Sequence, residues 1–257
     1  MRTYRLCQAI VLGLVFSVPL LAIDLPPLSG VLKATDLEPL IQKLISSLET
    51  DTADAATFNQ AKTRVQHAGY TLALYAEAVA QVDGDVSWKA NARAIRDLAA
   101  QLGSVTNHAK ARQLLEQIKS GLTGASVGQN GAAKSWEEVA PLLHVMKEVN
   151  LVNRSLRRYV RRERYFKRYH DRLQNAAVAM TLLSYIAAHD SSPAKDAKNV
   201  ANPVAKYEEY SVQFFQLARQ ALEAVRANDF KKASSSVKAM QKVCSQCHED
   251  FRPDIEI

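Results

Sequence analysis

An apolar face that is written twice, 108 residues apart, constrains this chain more than any other feature of its sequence. Phe58, Ala61, Val65, Ala68, Gly69, Leu72, Tyr75, Ala76 and Val79 are answered by Phe166, Tyr169, Leu173, Ala176, Ala177, Met180, Leu183, Ser184 and Ala187. Steps of three and four residues place each set along one side of an α-helix. Between the apolar positions Arg64, Gln66 and Ala68 return as Arg172, Gln174 and Ala176. A repeat on this scale points to two copies of one structural unit.

The rest of the chain after residue 33 carries the same three-and-four spacing and no sustained period of two, which predicts an all-α protein. Upstream of each copy, Leu37–Leu44 with Pro39 resembles Val139–Met146 with Pro141. Downstream, Trp88–Leu102 parallels Tyr207–Leu222, and a short turn leads into a last helix each time. Four long amphipathic helices joined by short loops form an antiparallel bundle, so we expect two tandem four-helix bundles. The boundary falls in residues 121–134, where Gly121, Gly124, Gly128 and Gly131 stand among Ser, Asn and Ala, the composition of a flexible linker. Ser135 then opens a helix, with Glu138 three residues later in a capping-box pattern. The expected units are 23–120 and 135–257. No glycine follows Gly131, so the second unit is built from better helix formers.

Residues 1–22 read as an address. Arg2 and Arg5 precede an apolar run from Leu6 to Leu21 that is broken by Pro19 and ends at Ala22. This pattern is a secretory signal, cleaved near Ala22, and too short and interrupted for a membrane span. The expected location is periplasmic or otherwise exported; an uncleaved anchor is the alternative. Cleavage removes Cys7 and leaves Cys244 and Cys247 as the two cysteines of an exported protein, in a compartment where disulfides form.

Those two cysteines belong to Cys244-Ser245-Gln246-Cys247-His248, the C-x-x-C-H pattern of c-type haem attachment. Cysteines three apart on a helix share one side and can form thioethers to both vinyl groups of a haem. The next residue then presents an imidazole to the iron. A zinc site would want two more Cys or His ligands, a thioredoxin-type pair would want a βαβ context, and a disulfide would strain a helix and leave His248 unexplained.

The second unit resembles the class II c-type cytochromes, the four-helix family of cytochrome c′ and its low-spin relatives. His248-Glu249-Asp250-Phe251-Arg252 matches the family ending H-x-x-[FY]-R, and Met146-Lys147-Glu148-Val149-Asn150 is similar to the M-x-x-x-N pattern of its low-spin members. The resemblance covers about residues 135–252. It implies one covalent haem c on Cys244 and Cys247, His248 as proximal iron ligand and Met146 as distal ligand, with simple core packing the alternative for Met146; Arg252, one helical turn after His248, either contacts a haem propionate or is solvated. Met146 also falls on the expected core face of its helix with Val139, Leu142, Leu143, Val149, Asn153 and Leu156, while His144 should face outward. The first unit has Leu44 in place of Met146 and no cysteine in its last helix, so it cannot hold a haem this way.

The function implied is single-electron transfer by an exported monohaem cytochrome, without enzymatic turnover. A five-coordinate, gas-binding protein for NO or CO is the alternative, and haem peroxidase activity ranks last, because no spare acid–base pair stands near the motif. The formal charge is +7, from 33 basic and 26 acidic residues, and nine of the cations fall between Arg154 and Arg172 against only Glu163 and Asp171. That run is either a solvated helix corner or a docking patch for an acidic redox partner. An exported haem protein gives no reason to expect nucleic acid. The family's habit of pairing through its early helices implies either a homodimer or a first unit that stands in for a fused partner.

Overall fold

The computed structural model describes residues 25–252 apart from 130, 196 and 198, so the predicted signal at 1–22 lies outside the described residues. The protein is all-α: no strand occurs among the described residues, only an isolated bridge between Lys33 and Asp83. The first half holds α1 (Ala34–Asp51), α2 (Ala55–Gln81), α3 (Ala92–Gly103) and α4 (His108–Leu122). The second holds α5 (Trp136–Val139), α6 (Leu142–Tyr159), α7 (Glu163–Arg168), α8 (His170–Ala188), α9 (Ser192–Lys195), α10 (Pro203–Arg226) and α11 (Phe230–Phe251). Helix starts are set by side chains that satisfy the orphan N–H groups of a first turn. Asp54 accepts from the Thr57 N–H at 2.8 Å, Asn107 from Lys110 at 2.9 Å and Asp229 from Lys232 at 2.9 Å. Ser135 and Glu138 form the expected capping box.

Two predicted helices are interrupted. Ala140 is extended and Pro141 caps α6, so the segment around Val139 forms a separate turn and the register of the following helix is reset. Tyr169 leaves helical geometry between α7 and α8, its ring packed near those of Tyr159 and Tyr165.

In the second half Tyr207, near the start of α10, donates to the Ala187 carbonyl at the end of α8, and Phe251 at the end of α11 packs edge-on against Tyr207. These contacts run α8, α10 and α11 up and down in turn, and α6 lies beside both α8 and α11. In the first half α2 packs on both α1 and α3, and α4 on α3.

The two halves are not separately cored. One continuous cluster of buried side chains runs from Leu28 to Val243, joined where α1 meets α8 and where α2 meets α5 and α6. The glycine-bearing link is also tied down. The Ala132 carbonyl accepts from Arg96 at 2.8 Å, Lys134 pairs with Asp97 at 2.7 Å, and the Ala125 carbonyl accepts from Asn91 at 2.9 Å. Its composition predicts a flexible strand. The polar groups of α3 hold it on the surface of the first half instead.

Candidate functional site

Helix α11 buries Ala233, Ser236, Val237, Met240, Val243 and Phe251, a stripe at helical spacing. Cys244 and Cys247 fall on this stripe and are partly buried, with Cys244 against the main core. Cys247 packs on a small cluster of Ala194, Tyr207 and Phe251 at the end of the bundle. The two are not joined in a disulfide. Burial pushes the Cys244 thiol up to about 11 and the Cys247 thiol up to about 12, so both are protonated at neutral pH. Among the described residues no three His, Cys, Asp or Glu side chains converge to hold a metal ion, so the four-ligand arrangement of a structural zinc site is not formed there.

His248 is half-buried and lies to one side of the cysteines. It continues the helical row Ser234, Lys238 and Gln241, which lines a cavity of about 560 Å³ between α11 and α6. The opposite wall is made by Arg154, Arg157, Arg158 and Arg161 of α6 and the following turn. These facing segments set the register of two antiparallel helices. Met146 and His248 lie about eleven residues beyond this cavity, back along α6 and forward along α11, at about 1.5 Å per residue. Met146 lies on the α6 row that runs through Leu143, Asn150, Arg154 and Arg157, of which the two arginines line the cavity.

Three expectations for α6 need correction. Leu143 is not in the core; it is 56% exposed. Met146 is half-buried and outside the core, and Val145 takes the core position with Val149, Val152, Asn153 and Leu156. The cause is the break at Pro141, which removes Val139 from the helix and shifts the buried face by one residue. His144 does turn away from its own bundle, yet it is only partly exposed and packs against α2. Its ring lies 4.4 Å from that of Tyr70 and its Nδ1 is 3.5 Å from that of His67, both on α2. Burial, aided by the nearby His67 and Lys147, keeps His144 below the usual histidine range. His67 Nε2 lies 2.8 Å from a carboxylate oxygen of Glu148, so α2 grips α6 on both sides of Met146.

Arg252 caps the C-terminus of α11, its N–H donating to the His248 carbonyl at 2.8 Å, and its side chain is exposed. The end of α11 is held by residues that sequence reading does not single out. Tyr210 donates to Asp250 at 2.7 Å and Lys206 pairs with the same carboxylate at 2.8 Å. The bond to Asp250 and the negative charge around it raise the Tyr210 phenol to about 12. Asp250 sits at a variable position of the C-terminal motif and its partners are some forty residues away, so no local signal exposes them.

Two unjoined thiols on one side of α11 with an imidazole beside them fit a covalently held haem. Comparison with known protein families, with curated proteins and with solved structures finds no match to this chain.

Proposed function

We propose that this protein is an exported monohaem c-type cytochrome that carries single electrons. Cys244 and Cys247 anchor the haem, His248 is the proximal ligand and Met146 the distal one. The observation that supports this reading is the C-x-x-C-H run at the end of α11, whose two cysteines are unjoined and partly buried on one side of the helix with His248 half-buried beside them. Met146 is half-buried outside the core row, which Val145 occupies, and this leaves its thioether for another role. When bound, haem supplies reversible one-electron chemistry at iron. The chain's own residues fix the ligands, shield one face and set the potential, which a methionine opposite histidine raises.

The halves are proposed as copies of one bundle, the first without haem. Support comes from α2, which spans 55–81, and from α7 and α8, which together span 163–188, nearly the interval that an offset of 108 predicts. The partner is proposed to be an acidic redox protein that docks on the basic run 154–172. No helix among the described residues is long and apolar enough to cross a membrane.

The test is the mass and the visible spectrum of the exported protein. A mass increment of one haem with a sharp low-spin reduced spectrum, lost in Met146→Ala, is the expected result. A high-spin spectrum that shifts with carbon monoxide would move the assignment to gas binding. A bare mass would end the haem reading altogether.

A further inference from the structure

We infer that the cavity between α6 and α11 binds a small multivalent anion, one that carries at least two phosphate or carboxylate groups. This goes beyond the haem reading and does not depend on it.

Arg154, Arg157, Arg158 and Arg161 follow one another at intervals of three, one and three residues, the pattern of one helix face, and they form one wall. Lys238 stands on the other. Five exposed cations therefore line one open groove of about 560 Å³. No described carboxylate pairs with any of the five. Glu163, one of only two acids in the basic run, is taken by Lys167 at 2.8 Å. Arg154 donates instead to the neutral Asn150 side chain at 3.1 Å. Like charges held this close repel, and a bound anion relieves all of the repulsions at once.

The floor sharpens the ligand class. Val160 and Val237 are buried beneath the cations and line the same space, so an organic anion can rest an apolar part on them. Ser234 and Gln241 add neutral hydrogen-bonding groups at the edge. Guanidinium forks match phosphate and carboxylate oxygens in pairs, and cations on two helices reward a ligand with charge at both ends. A flat acidic protein surface would meet the rim of the cavity and leave Lys238 and the Arg154 wall without a shared partner.

The test is calorimetric titration of the full chain at low ionic strength, with pyrophosphate and separately with citrate. One equivalent of at least one anion should bind; preference for pyrophosphate assigns the site to phosphate compounds, preference for citrate to polycarboxylates. Arg157→Gln and Lys238→Gln, one from each wall, should each weaken binding at least tenfold. Arg168→Gln removes the same charge from the same basic run, but its guanidinium lies 5.4 Å over the Tyr169 ring and outside the cavity, so it should change binding less than twofold. All three side chains are exposed, and unchanged thermal unfolding checks that the fold is kept. Equal losses in all three variants would reveal a diffuse field and overturn the assignment. So would the absence of binding by both anions, or binding of polyglutamate alone.

Discussion

Arg96 is the side chain whose loss should cost the first half most. It is fully buried and its guanidinium serves three partners. One Nη bonds the buried Glu77 carboxylate at 2.5 Å and the Ala132 carbonyl at 2.8 Å, while Nε and the other Nη hold Asp97 at 2.9 and 3.0 Å. Arg96→Met keeps the volume and removes the charge. Glu77, also without solvent exposure, is then left with the Gln81 amide at 3.0 Å and the Arg93 guanidinium at 4.0 Å. Breaking a buried pair from one side typically costs about 3–5 kcal/mol, and this case belongs toward the upper end because the linker's anchor goes with it. Glu77→Gln is different in kind. Arg96 keeps Asp97 and Ala132, and the amide keeps an acceptor, so the loss should be about 1–2 kcal/mol, that of a charged hydrogen bond exchanged for a neutral one. The pair of changes Arg96→Met with Glu77→Leu removes both charges and should recover most of the loss. Urea unfolding followed through the buried Trp88 measures all three. If Arg96→Met costs no more than Glu77→Gln, the buried charge is compensated by something other than these partners, and the reasoning fails.

Asp97 carries a pH dependence. Burial works against its carboxylate, but hydrogen bonds and charge from Arg96 and Lys134 outweigh this and hold its pKa below the ordinary value. Its contribution is therefore present above the unfolded carboxylate value of about 3.9 and is lost as pH falls through the lower folded value. The urea midpoint should fall in that acid window, and Asp97→Asn should flatten the fall; parallel profiles would refute the assignment. Gly69 tests the packing of α2 on α3. A β-carbon there would lie 2.5 Å from the Gly103 nitrogen and 2.8 Å from the Leu102 carbonyl carbon, so the helices would have to part. Overpacking of about 1–3 kcal/mol against a helix-propensity gain of about 1 kcal/mol predicts a net loss for Gly69→Ala. A rise in thermal stability would contradict it.

What the sequence makes legible is whatever depends on neighbours in the chain. The capping box at Ser135 and the buried faces of α2 and α8 follow from local chemistry and period, as does the all-α class. Failures occur where a residue's environment is supplied from far away. Rotation by two residues does turn His144 away from its own bundle, but only the fold reveals that α2 waits there with His67 and Tyr70. The glycines of 121–134 describe the link's freedom in isolation; they carry no sign of Arg96 and Asp97, which hold it. Pro141 is visible in the sequence, yet its outcome is not. Pro39 stays inside α1, whereas Pro141 caps a new helix and leaves Met146 outside the core row.

The seam itself raises a packing problem, since two neighbouring helices that touch sparsely ought to collapse onto the gap between them. Here each wall is tied backward, away from the other. Lys206 and Tyr210 of α10 hold Asp250 near the end of α11. On the other side α2 holds α6 through His67 and Glu148, and α6 also packs on α8. The five cations that face the gap oppose closure by their own repulsion. The first half thus holds the helix that carries Met146 through the His67–Glu148 contact and the packing of Tyr70 on His144.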